Sequence, residues 1–200
     1  MKKFLLSLAL VAFATPAWAG VTIAQWIANP IISGDKTYTL LSESGLNVAG
    51  VEAADSIPPA FGGLLHSLDI NGLQNISGNF SLSFKVTINS GTNTIKSTRV
   101  SQNDILGNTT AGSTTTTNPG AFTDTLNGTD AGLTHNQGAG VTEVTFSTSS
   151  FGISSGNALS TLTYDVLQQT PPPPAIPEPS TFALAGLAVA GLVFARRRAR

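Results

Sequence analysis

The chain has no cysteine, and that one absence removes a disulfide scaffold, a thiol nucleophile and thiolate-held zinc. Charge is scarce too. Charged residues make up 10% of the 200, against roughly 25% in ordinary soluble domains, so no long basic stripe exists to hold nucleic acid. The two histidines, His66 and His135, are too distant in sequence to form a metal-binding pair by spacing. Tryptophan is limited to Trp18 and Trp26, poor material for an aromatic sugar-stacking cleft. Between residues 20 and 170 no apolar pattern keeps a 3.6-residue period, which argues against long helices there.

What charge exists is segregated. Lys2, Lys3, Arg196, Arg197, Arg198 and Arg200 sit at the two ends. Residues 20–170 keep Lys36, Lys85, Lys96 and Arg99 against ten acids, a net −6. A mildly acidic body is repelled by nucleic acid and by anionic lipid. At the first end, Lys2 and Lys3 precede an apolar run, Phe4–Ala14, and then Ala17-Trp18-Ala19. This is the layout of a signal peptide over residues 1–19, with Ala17 and Ala19 read by signal peptidase and Gly20 as the new N-terminus.

The other end reads PPPPAIPEPSTFALAGLAVAGLVFARRRAR from Pro171. Prolines 171–174 favour an extended polyproline rod, and residues 171–179 form a Pro-rich linker. Ser180 or Thr181 opens a single apolar helix. Thr181–Ala195 spans about 22 Å at ~1.5 Å per residue, short of a ~30 Å hydrocarbon core. Snorkelling arginine stems make up the difference, so residues 180–200 read as a transmembrane helix with an Arg-rich cytoplasmic stop. Basic clusters at both ends stay inside by the positive-inside bias, which leaves residues 20–176 outside.

Pro177-Glu178-Pro179, one short apolar helix and terminal arginines together resemble the PEP-CTERM sorting signal of certain Gram-negative bacteria. The resemblance covers Ile176–Arg200. It implies recognition by exosortase, a membrane enzyme that cleaves near the triplet and releases or re-attaches the protein outside. The same tail is also labelled an ice-binding-protein C-terminal domain, a label that describes the tail alone. The expected route is an inner-membrane intermediate, then the cell surface or the extracellular space, with extracellular polysaccharide as a candidate partner.

Residues 20–170 read as a mainly β body, an antiparallel β-sandwich. Phe80, Leu82, Phe84, Val86 and Ile88 alternate with Ser81, Ser83, Lys85 and Thr87, giving one dry face and one wet face. Ser90–Asn93 then reads as a hairpin turn into Thr94–Ser101. Leu162, Tyr164 and Val166 alternate with Thr161, Thr163 and Asp165, and Val144 and Phe146 lie between threonines. Thr37–Leu41, Val21–Ile27 and Leu64–Leu73, the last ending at an Asn71-Gly72 turn, are further strand candidates. A parallel β-helix is the rival, but no fixed-length repeat supports it. Asn108–Gly120 and Asn127–Gly140 read as long polar loops.

No catalytic constellation emerges, and neither a metal nor a cofactor is expected. Gly152-Ile153-Ser154-Ser155-Gly156 fits a nucleophile elbow in spelling, yet both histidines precede it and no helix pattern follows. Among Asp35, Glu43, Glu52, Asp55, Asp69 and Glu143 no pair is marked out for glycoside hydrolysis. Asp69-Ile70-Asn71-Gly72 and Asp124 to Asp130 carry oxygen ligands at short spacing, but neither completes an EF-hand loop. Thr114–Thr117 is a contiguous run rather than the regular ladder an ice-binding face would favour. The histidines read as polar loop residues. The expectation is a non-enzymatic exported surface or matrix protein, with a carbohydrate-binding or adhesive module, calcium-assisted or not, as the alternative.

Overall fold

The computed structural model describes residues 20–57, 64–89, 91–104, 111–154 and 158–170. The chain divides into two units, Met1–Gln169 and Thr170–Arg200. The expected signal peptide (1–19), linker (171–179) and terminal helix (180–200) lie outside the described residues. Among the described residues no helix is long and apolar enough to cross a membrane.

In chain order the elements are β1 Val21–Thr22, α1 Ile23–Ala28, β2 Ile31–Ser33, β3 Lys36–Ser44, β4 Glu52–Ser56, β5 Leu65–Asn71 and β6 Ser81–Ile88. There follow β7 Thr94–Asp104, β8 Gly112–Asn118, β9 Phe122–Asn127, β10 Asp130–Ala131, β11 His135–Asn136, β12 Glu143–Phe151 and β13 Leu159–Gln169. They form two sheets. One runs β1-β4-β5-β13-β7-β10, with β11 also on β7; the other runs β2-β3-β6-β12-β8-β9. Every pairing is antiparallel. The body is mainly β with two antiparallel sheets, as its two-residue alternation predicts.

That alternation places the core. Leu82, Phe84, Val86 and Ile88 of β6 are buried, while the serines, lysine and threonine between them are half-buried on the other face. Phe146 and Val144 of β12 stand opposite Phe84 and Val86. Phe84 stacks on Phe146 at 5.2 Å between ring centres and meets Tyr164 of the facing sheet edge-on at 4.8 Å. Trp26 closes the cluster 5.4 Å from Phe84, and its indole N–H donates to the Tyr38 carbonyl at 2.8 Å. The one tryptophan of the body is therefore core, not sugar platform.

Four expectations need correction. Val21–Ile27 is a strand for two residues only. Thr22 has extended φ/ψ and its hydroxyl accepts from the Gln25 amide, while Gln25 Oε1 accepts from the Thr22 amide at 2.9 Å, a capping box. The resulting helix has six residues, too short to print a 3.6 period, and it carries Ile23 and Trp26 inward. Strands β6 and β7 are not a hairpin, because they belong to different sheets; the chain crosses between layers where a tight turn is expected. Asn108–Gly120 is not one loop, because Gly112–Asn118 is strand β8 between β12 and β9; residues 105–110 lie outside the described residues. Asn127–Gly140 contributes β10 and β11, both paired with β7. Strands β4 and β9 carry no clear alternation of apolar residues and emerge only in the structure.

At Gly72 the expected turn is real: φ is +85°, and a Cβ there would collide with the Gly50 carbonyl oxygen. Phe84 touches both sheets through its rings, so Phe84→Ala should cost about 3–5 kcal/mol of folding stability. Urea denaturation followed by near-UV circular dichroism measures it; a loss under about 1 kcal/mol would show that the aromatic cluster does not hold the sheets.

Candidate binding face

A β-strand sends alternate side chains to opposite faces, so register decides which residues share a surface. On the outward side of β5, β13 and β7 three rows line up. Leu65, Leu167 and Ser97 form one outer row, and Asp69, Thr163 and Ser101 the other, with Ser67, Asp165 and Arg99 between them. The middle row is tied together. Ser67 Oγ donates to Asp165 Oδ1 at 2.6 Å, and Arg99 donates to Asp165 Oδ2 through Nε at 2.9 Å and Nη2 at 2.6 Å. Arg99 is 46% exposed in its side chain and Asp165 10%, so the guanidinium lies along the surface with its carboxylate partner beneath it.

Between the leucine row and the middle row is a half-open groove of about 200 Å³. Leu65 and Leu167 give it apolar walls, Arg99 and Asp165 a charged side, and Thr134, just before β11, a rim. Ser97 lines it as well and is 4% exposed. In the other outer row the Thr163 hydroxyl donates to Asp69 at 2.6 Å. Burial pushes the Asp69 carboxyl above the ordinary range; the Thr163 bond opposes this, and the nearby charges of Asp165 and Asp55 add to it.

The outward face of the second sheet is different. Ser83 and Ser147 approach to 3.0 Å, Thr114 and Thr125 to 3.2 Å, and Thr116 and Thr123 to 3.3 Å. The threonine run is thus divided by strand geometry. Thr115 and Thr117 point inward and are buried, whereas Thr114 and Thr116 stand in a cross-strand hydroxyl ladder that the linear sequence hides.

Chemistry-bearing residues read from the sequence are dispersed. His66 is buried on β5, not in a loop, and its Nδ1 lies 3.1 Å from Asp55 Oδ2 while the Tyr38 hydroxyl donates to Asp55 Oδ1 at 2.6 Å. Desolvation, together with the charge and bond of Asp55, holds the Tyr38 hydroxyl well above its usual pKa. His135 is also no loop bystander: it sits on β11, stacks on Phe122 at 4.5 Å and places Nε2 2.9 Å from Asp124 Oδ2. Lys36 is fully buried and donates to Asp35 at 3.0 Å. Burial lowers its pKa, and Asp35 and Asp55 pull it partly back. Asp35 itself is lowered: burial works against this, but bonds from Gln168 and Lys36 and the Lys36 charge outweigh it.

Of the oxygen ligands considered for calcium, Asp69 is bonded to Thr163, Asn71 accepts from Thr161, and Asp130 accepts from the Ala131 amide. Among the described residues no three of His, Asp and Glu come together as a metal cluster. Glu143 pairs with Lys85 at 3.0 Å. Ser154 is exposed, and the rest of its elbow, Ser155 and Gly156, lies outside the described residues. Gly20 packs against Glu52, where an added Cβ would sit 2.6 Å from Oε2. Ala17, Ala19, Pro177, Glu178, Pro179, Arg196, Arg197, Arg198 and Arg200 lie outside the described residues. The wet face of β13 is legible from its Thr163–Asp165 alternation. Ser67, Ser97 and Arg99 carry no signal until register sets them beside it.

Two substitutions test this arrangement. Because the folded-state pKa of Asp69 lies above the 3.8 of the unfolded chain, the folded state keeps a proton that the unfolded state has released, and stability falls as pH rises through that window. Asp69→Asn does not titrate and still accepts from Thr163, so it should raise the thermal midpoint at pH 7 and leave it unchanged near pH 3. Equal midpoints at pH 7 would refute the burial argument. Tyr38→Phe should cost about 1–3 kcal/mol, the penalty for leaving the Asp55 oxygen without its donor, read from the urea midpoint.

No curated protein matches the chain in sequence. Among solved structures, TmCBM61 in complex with beta-1,4-galactotriose is similar over 64% of this chain and 84% of its own, at 8% identity and a TM-score of 0.32. TmCBM27, described for specific mannan recognition, aligns over 66% and 98%, at 12% identity and 0.28. A variant of CBM29-2, a family 29 carbohydrate binding module, aligns over 67% and 91%, at 12% identity and 0.23. At such scores no ligand carries over from them. Residues 175–198 match the family model described as the PEP-CTERM protein-sorting motif, and the chain accordingly carries a PEP-CTERM sorting signal over those residues.

Proposed function

We propose that this is an exported protein with no enzymatic activity, delivered by its PEP-CTERM tail to the cell surface or the extracellular polysaccharide matrix. The observation that carries the reading is the sorting motif over residues 175–198, joined to a two-sheet body in which four acids are held in pairs with a basic side chain. Asp55 with His66, Asp124 with His135, Asp35 with Lys36 and Asp165 with Arg99 are each partnered within hydrogen-bond distance. In this reading signal peptidase acts beside Ala17 and Ala19, and Gly20 begins the mature body. An exosortase-like enzyme then acts at Pro177-Glu178-Pro179, while Arg196, Arg197, Arg198 and Arg200 hold the transient inner-membrane intermediate.

A second reading, a carbohydrate-binding or adhesive module, is favoured by one observation, the groove of Leu65, Leu167, Ser97 and Arg99. It predicts saturable binding of the full chain to isolated envelope polysaccharide, weakened by chelator if calcium assists.

Replacing Pro177, Glu178 and Pro179 by alanine tests the sorting claim in a host that carries exosortase. The expected result is an unprocessed, membrane-retained chain, followed by immunoblot of membrane and surface fractions. Unchanged processing and unchanged location would sink it.

A further inference from the structure

We propose that the groove between the Leu65–Leu167–Ser97 and Ser67–Asp165–Arg99 rows binds a single, uncharged saccharide ring. The inference rests on the carbohydrate-binding reading and specifies its site and ligand class. Size sets the first limit. At about 200 Å³ the groove falls below the ~300–1,000 Å³ of typical small-molecule pockets, so it accommodates one ring and not a stretch of chain.

Chemistry sets the second. A pyranose has a C–H face and an equatorial rim of hydroxyls, and binding it requires apolar contact on one side with directional polar groups on the other. Leu65 and Leu167 are cross-strand neighbours and supply the apolar contact. Ser97 is 4% exposed and lines the groove. Arg99 commits Nε and Nη2 to Asp165, which leaves Nη1 as a fixed donor two residues along the same strand face from Ser97. Because Asp165 also accepts from Ser67, the carboxylate that holds the guanidinium is itself fixed, and Arg99 needs little ordering on binding.

Charge sets the third limit. Arg99 is already neutralised by Asp165, and Asp69 lies close enough for the two carboxyls to repel. Two acids against one base disfavour a uronic acid, whose carboxylate would enter a negative field. An uncharged ring needs only the donors and the hydroxyl.

The test uses the full chain in detergent, with glucose, galactose, mannose and glucuronate as probes in saturation-transfer NMR, beside a binding assay on isolated envelope polysaccharide. At least one neutral hexose should bind saturably and more tightly than glucuronate. Leu65→Trp, which fills the groove, should abolish hexose binding. Ser97→Ala, which removes one hydroxyl and should leave the fold intact, should weaken it about 2- to 10-fold. Hexose binding unchanged in both variants, or glucuronate preferred, overturns the groove proposal and leaves the carbohydrate-binding reading standing. Polysaccharide binding without any hexose binding does the same, and failure of both assays overturns the two together.

Discussion

The two sheets are held in one alignment by polar bridges buried between them. Tyr38 of β3 reaches across to Asp55 of β4, and Asp55 is shared with His66 of β5. Thr148 of β12 meets Tyr164 of β13 at 2.7 Å, and Ser113 of β8 donates to Gln102 of β7 at 2.7 Å. Asp124 of β9 faces His135 of β11 at 2.9 Å. Hydrophobic contact between sheets is non-directional and tolerates sliding. A buried hydroxyl or carboxylate that loses its partner costs about 1–3 kcal/mol, so each bridge penalises any other alignment. The chain has no cysteine, and this series of polar contacts takes the place of a covalent link between the layers.

These bridges also explain why acids and histidines that form no constellation in the sequence are partnered in the structure. A strand that ends in Ala-Ala-Asp-Ser gives no apolar alternation, yet Ala53 and Asp55 both face inward. The buried carboxylate inverts the pattern that sequence reading relies on, and β4 goes unseen. His66 follows the same logic. Its place between Leu65 and Ser67 lies within the strand expected over Leu64–Leu73, but a lone histidine reads as a polar loop residue until Asp55 is found 3.1 Å from it.

Legibility therefore tracks the kind of interaction. Strand β6 is readable because its inward positions are all apolar and its outward positions all polar. Strand β8 is not, because threonine has both a methyl and a hydroxyl and suits either environment. Its run of four serves an inward face at Thr115 and Thr117 and an outward one at Thr114 and Thr116. Helix α1 escapes notice for want of length, although Thr22 and Gln25 already spell its cap. The candidate face is half legible: β13 announces its wet side, but Arg99 and Ser97 reach it only through a cross-strand register that no single segment records.

The same register separates what the two outward faces can do. On the β6–β12–β8–β9 side, hydroxyls satisfy one another across strands, and Lys85 closes on Glu143. Such a surface offers water a regular array of partners. On the β5–β13–β7 side the pattern is interrupted: two leucines stand where hydroxyls would continue the array, and Thr134 lies at the rim beside them. Depth, an apolar wall and the Arg99–Asp165 pair then coincide at one point. A sheet face made mostly of small polar residues gains depth where that uniformity breaks, and on the β5–β13–β7 face it breaks at Leu65 and Leu167.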